Sequence, residues 1–348
     1  MARRIMLGLV LLLAIVEPSV AQEPITNQHT ALQAQPEIEA GEDYRVYDRQ
    51  GRESSVLAIV GSSIGDDVLL VGEEHDDMIG HAFETLLYGA ALEEIGGRSA
   101  SGRTVILSLE MFERDVQYVL DEYLTGLISE DHFLKSSRPW DDYDVRYRDL
   151  IEAAKEHGTP VVAANAPRRY VSRVTSEGPE SLCDLSEQAR VFLPPLPYPG
   201  PSSVYRGQWE TIMAEAMESM MAAAAEADEG NSDSEGPEAG EEERGYTINP
   251  NAIYSQALWD ASMGHAVSEA LIRHLGGFVV HFAGSFHVEK GTGILERIED
   301  YRPGTRVTTV VMRKVDDIDA WSAEDHADLA DFVVLTKKPE PVAHPPVV

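Results

Sequence analysis

Four short apolar runs limit what this chain can fold into. They are Val68–Val71, Thr104–Leu109, Pro160–Ala164 and Phe278–Ala283, and each stops abruptly at polar, titratable residues. Runs this short and this uniformly apolar predict strands buried on both faces, because a half-exposed strand would alternate. Segments of helical period lie between them. After the first run, Ile79, Phe83, Leu86, Leu87 and Ala90 fall on one helical face, which predicts a helix over 78–94. Asp76 and Asp77 stand where its N-cap and first turn favour anions, and Gly96-Gly97 ends it. Strand, polar elbow and helix in alternation predict an α/β fold: a mostly parallel central sheet flanked by helices, with an inserted helical subdomain.

The remaining chain fits around that frame. Residues 1–21 read as a secretory signal, with Arg3 and Arg4 before the apolar run Ile5–Val16 and small residues up to Ala21. No membrane span is expected after cleavage, and a secreted or periplasmic location follows. Residues 22–50 read as a linker and 51–340 as the α/β domain. Val56–Val60 is expected to be its first strand, and Gly72 to turn the chain out of the second. Over 175–250 the pattern changes to helix and loop. Prolines 194, 195, 197, 199 and 201 deny regular structure, Trp209–Ala227 reads as a helix, and the acidic run 228–243 cannot bury enough apolar surface to fold. A helix over 250–275 and strands at 307–311 and 332–335 complete the domain.

Charge and cysteine content exclude several functions. With 28 basic against 60 acidic residues the formal charge is −32, so no basic footprint exists for a nucleic-acid backbone. A single cysteine, Cys183, permits no disulfide framework or cysteine-rich metal site within one chain.

What the sequence offers lies at the strand ends: Glu73, Glu74 and His75; Glu110; Asn165 and Arg168; Ser285 and His287. In a parallel sheet with helical crossovers these ends share one edge. Carboxylates beside imidazoles suit general acid–base work, and the same groups are ligands for a divalent metal. Arg168 suits a carboxylate or phosphate. His75 and His81 are six apart, which is not the zinc-binding pairing on one helix face, and Gly284-Ser285-Phe286-His287 is not a nucleophile elbow.

These residues resemble the ChaN-like haem-binding proteins, which form a wider group with Tiki-type proteases and erythromycin-esterase-like hydrolases. The matching pieces are Gly72-Glu73-Glu74-His75-Asp76 with His81, and Leu107-Ser108-Leu109-Glu110-Met111-Phe112. Three more are Ala163-Ala164-Asn165-Ala166-Pro167-Arg168, Ser255-Gln256-Ala257-Leu258-Trp259-Asp260 and Gly284-Ser285-Phe286-His287-Val288-Glu289. The resemblance implies an exported α/β protein linked to iron or haem acquisition, with haem as ligand, a homodimer as its state and tyrosine on the iron. Tyr143, Tyr147 and Tyr205, with His81, are the candidate haem-binding residues. By likeness to the wider group, Glu73, Glu74, His75, Glu110, Arg168 and His287 form the alternative, a hydrolytic centre with or without a divalent metal. Binder and hydrolase both stay open on the sequence.

Overall fold

The computed structural model describes residues 35–97, 102–229 and 249–339. The signal segment lies outside them, as does the acidic run from residue 230 onward. Eight strands form one mixed sheet in the order β2-β1-β8-β7-β3-β6-β4-β5. They are β1 (Tyr44–Asp48), β2 (Glu53–Ser54), β3 (Val68–Glu73), β4 (Val105–Glu113), β5 (Val161–Asn165), β6 (Phe278–Gly284), β7 (Val307–Val315) and β8 (Phe332–Lys337). From β8 to β5 every pairing is parallel; β1 joins β8 and β2 antiparallel. The four apolar runs are β3, β4, β5 and β6, and in β3 and β6 every residue is buried.

Side-chain alternation sends each strand into two cores. Leu69 and Val71 of β3 join Leu107 and Leu109 of β4 beneath α2 (Met78–Ala91), which adds Phe83, Leu87 and Tyr88. Val68 and Leu70 face the other way, onto Met263, Ala266, Val267 and Leu271 of α10 (Ala252–Arg273) and Ile294 and Ile298 of α11 (Ile294–Tyr301). On the α2 side also lie α3 (Gln117–Leu124), α4 (Glu130–Ser137), α5 (Tyr143–Arg146) and α6 (Arg148–His157). Covering both faces with helices is what lets all-apolar strands stay out of water.

Several expectations change. Val56–Val60 is not a strand but the start of α1 (Val56–Ser63), capped by the Ser55 side chain on the Ala58 N–H. Leu57 is 64% exposed while Ile59 is fully buried, the one-sided burial of a helix. The segment 22–50 is not all linker, because Tyr44–Asp48 pairs along β8 and buries Tyr44 and Val46. Gly72 does not turn the chain. It lies inside β3, where a Cβ would come 2.8 Å from the Ser285 Cα, so glycine serves a close approach. Trp140 precedes α5, and Tyr147 sits at the break between α5 and α6.

The insertion also begins later than expected. Residues 175–202 stay with the α/β unit. There α7 (Arg168–Glu177) and the short α8 (Glu187–Arg190) precede a proline-rich stretch, and Val171, Val174, Leu182, Leu193 and Tyr198 pack on Ala257, Leu258 and Ala261 of α10. Helix α9 (Ser203–Glu229) belongs to a separate compact unit.

Candidate functional site

Parallel pairing aligns the strand ends. Glu73 is in register with Gly284, and Leu109 with Phe282, so the ends of β3, β6 and β4 meet at one edge. The β4–β5 register shifts between Leu109 and Glu113, an irregularity of the kind that re-aims side chains beside active sites. Glu110 stands in this stretch, and its Oε2 accepts the Gly284 N–H at 2.7 Å. One carboxylate thereby ties the two strand ends together.

Two imidazoles flank Glu110, each held by an acid of its own. His75 Nδ1 lies 2.6 Å from Glu73 Oε1, and His287 Nδ1 lies 2.7 Å from Asp260 Oδ1. Anchoring through Nδ1 aims both Nε2 atoms inward. That of His287 is 3.9 Å from Glu110 Oε1, and that of His75 lies 3.0 Å from where a Gly284 Cβ would be. A side chain at 284 would therefore strike His75, which is why glycine stands there. The side chain of His75 is 38% exposed and that of His287 only 7%, so the first imidazole forms the rim and the second the floor. Trp140 meets His75 edge-on at 4.9 Å, and Trp259 approaches His287 at 6.3 Å.

Electrostatics favour charge on both rings. Burial alone would lower His75, but the hydrogen bond and charge of Glu73, with Glu110 behind, push it up to about 9. Burial also opposes protonation of His287; Asp260 and then Glu110 outweigh it, and the group titrates above its ordinary value. His281, one strand turn back, shows the contrast. Burial, reinforced by the His287 charge, drives it down to about 3, and its Nδ1 meets Ser108 Oγ at 2.8 Å.

Beneath His75 lies a third layer. Glu73 Oε1 also accepts the Tyr147 hydroxyl at 2.6 Å. His81 Nδ1 is 3.0 Å from Glu84 Oε2 and 3.5 Å from Glu73 Oε2, while its Nε2 donates to the His75 carbonyl at 3.0 Å. Burial would raise Glu73, yet the His81 charge and hydrogen bonds from Glu84 and His75 hold it below the usual carboxylate range. Burial, then the charge of Glu73, pushes Glu84 well above that range.

Of the six residues expected at an acid–base centre, Glu73, His75, Glu110 and His287 come together. Glu74 does not join them. Alternation turns it to the opposite side, where burial raises its carboxyl and the charges of Arg313 and Lys314 partly offset that rise. Arg168 opens α7 and is exposed; its neighbour Arg169 pairs with Asp115. Sequence reasoning gave no role to Asp260, Glu84 or His281. Each carried a signal: a carboxylate on the apolar face of a helix, an acid three residues after a histidine, and a histidine inside an apolar strand.

The expected haem ligands of the α/β unit are buried. The Tyr143 ring packs among Phe112 and Phe133, and burial holds its hydroxyl far above the ordinary value. Tyr147 is committed to Glu73, and both His81 nitrogens face partners within a fully buried ring. All three side chains are buried in this structure, as is Tyr205. Tyr205 does not belong to this unit; it lies in the first turn of α9. No helix of the described residues is long and apolar enough to cross a membrane.

Comparison with known proteins gives the lineage. The solved structure of ChaN of Campylobacter jejuni with cofacially bound haem is similar at a TM-score of 0.59 and 16% identity, over 87% of this chain and 100% of that one. The type III effector HopBA1 matches at a TM-score of 0.40 and 9% identity, over 82% of this chain and 95% of its own. A protein of Bacillus cereus matches at 0.39 and 12%, over 82% and 92%. No curated protein matches the chain. The family model described as haem-binding uptake, Tiki superfamily, ChaN aligns with residues 60–298, through both imidazole–carboxylate pairs and the strands that carry them. The chain belongs to the ChaN family of the Tiki superfamily.

Proposed function

We propose that the protein binds haem on helix α9 and serves iron or haem acquisition outside the cytoplasm. The family match over residues 60–298 carries the ligand class. The placement on α9 rests on the side chains it lines up and not on exposure, since Tyr205, Trp209 and Met213 are buried, as Tyr143, Tyr147 and His81 are. On α9, Tyr205, Trp209 and Met213 recur at every fourth position, a single helical stripe. A phenol suits ferric iron, and an aromatic ring with a thioether suits a porphyrin face. Bound haem would supply the iron; Tyr205 would hold it, and Trp209 and Met213 would cover the ring.

Export is supported by the basic start and apolar run of residues 3–16 and by Ala21. A second copy facing the first is the expected state. Haemin titration of the purified chain should shift the Soret band, and Tyr205→Phe should weaken that shift while Tyr143→Phe leaves it intact. An unshifted Soret band would overturn the reading. Light scattering with and without haemin tests the dimer, and the mass of protein recovered from an exporting host tests cleavage after Ala21.

A second reading, hydrolysis, is favoured by one observation: two acid-anchored imidazoles aimed at one carboxylate. Here Glu110 would take a proton from a water beside it, the His287 imidazolium 3.9 Å away would stabilise the charge that develops, and the protonated His75 would donate to the leaving group. His75→Ala should abolish turnover of any ester or peptide substrate found; retained turnover removes this reading.

A further inference from the structure

Beneath the imidazole pair lies a cluster of which the hydrolytic reading uses only Glu73, as the anchor of His75. Glu73 ends β3; His81 and Glu84, three residues apart, share one face of α2. One donor atom from each lies within 4.8 Å of the other two, and the side chains are 3%, 0% and 0% exposed. The His75 carbonyl can only accept, so His81 Nε2 carries a proton and its Nδ1 faces the two carboxylates. Among the described residues, nothing outside the cluster donates a hydrogen bond to Glu73 Oε2 or Glu84 Oε1. One imidazole and two carboxylates thus converge in a sealed space.

Two buried carboxylates cannot both stay ionised uncompensated, so protons, which burial beside Glu73 favours on Glu84, or a cation must enter. Protons would have to come twice, one on Nδ1 and one between the carboxyls. A single divalent cation answers all three groups at once and cancels the charge. The spacing suits it: metal–ligand bonds of ~2.1 Å place tetrahedral donors ~3.4 Å apart. His81 Nδ1 stands 3.0 Å and 3.5 Å from the two carboxylates. The outer contacts are those of a metal site as well. The second nitrogen of His81 is fixed by a carbonyl, and the other oxygen of Glu73 is fixed by Tyr147 and His75.

We propose that Glu73, His81 and Glu84 bind one first-row divalent cation, with zinc the best match to one imidazole and two carboxylates. Three protein ligands leave a fourth position open, but the side chains are sealed from solvent, so the cation's role is structural. Through Glu73 the cation sets the orientation of His75, so it acts on the cleft without touching what binds there.

The test uses the full chain, free of any histidine tag. Elemental analysis of the purified protein should find one zinc, or another first-row metal, per chain. A strong chelator should remove it and lower the melting temperature by roughly 5–10 °C, and Zn²⁺ alone should restore it. Glu84→Gln separates metal from proton, since glutamine copies a protonated acid. Loss of metal and of chelator sensitivity in Glu84→Gln supports the site. Wild-type protein without metal, or a Glu84→Gln variant that still holds it, overturns the proposal. Should the variant fail to fold, metal content and chelator response of the wild type decide. Haem iron is told apart by its Soret band, so this result stands or falls separately from haem binding.

Discussion

Asp260 holds His287 from the middle of α10, its Oδ1 2.7 Å from the imidazole Nδ1. The carboxylate is 1% exposed on a helix whose other inward residues are small or apolar. A buried charge in such a place needs a partner, and His287 is that partner. Asp260→Asn keeps the shape and removes the charge. The His287 pKa should therefore fall, read from its imidazole resonances across a pH titration. An unchanged pKa would mean that Asp260 is not what raises it.

Gly72 and Gly61 make a controlled pair. A methyl on Gly72 would meet the Ser285 Cα at 2.8 Å, whereas one on Gly61 meets nothing within 4 Å. Gly72→Ala should cost on the order of 2 kcal/mol through forced backbone movement. Gly61→Ala, inside exposed α1, should gain about 0.5–1 kcal/mol from helix propensity. Urea unfolding midpoints measure both.

His281 gives the fold a directional pH response. Its native pKa is driven down to about 3 from an ordinary 6.5. Between these values the unfolded chain binds a proton that the native one refuses, so stability is full above 6.5 and is lost as pH falls toward 3. The loss is on the order of 1 kcal/mol per pH unit from this group. His281→Gln should flatten the melting-temperature curve over that window relative to wild type; parallel curves would exclude the assignment.

Tyr147→Phe removes a hydroxyl donated to the buried Glu73 carboxylate at 2.6 Å. Denaturant titration should show a loss of about 1–3 kcal/mol, the range for an abandoned buried acceptor. Because this hydroxyl points into the protein, the haemin Soret band should not change. A changed band would return Tyr147 to the set of iron ligands.

The sheet and its polar edge were legible because the physics that buries a strand on both faces leaves an unbroken apolar run. The same physics hid α1: Val56–Val60 is as apolar as a strand, and only the Ser55 cap and the exposure of Leu57 reveal a helix. Strand β1 was hidden by its polar surroundings, although Tyr44 and Val46 alternate inward. At the site, His75 and His287 could be placed because each follows a strand directly. Asp260 and Glu84 could not, because which face of a helix turns to a strand end depends on packing between distant segments. Tyr143, Tyr147 and Tyr205 were candidates through the resemblance alone, and spacing could not show that all three phenols turn inward.

Strand β6 lies between β3 and β4, so the segment that unites them is made long after both. A growing polypeptide holds Glu73, His75 and Glu110 from early in its synthesis but has no cleft until Phe278–Gly284 emerges and inserts. Before that moment two apolar strand edges lie open to aggregation and to quality-control proteases. Premature termination anywhere upstream of residue 278 should thus yield no weakened protein but an inert one, quickly cleared.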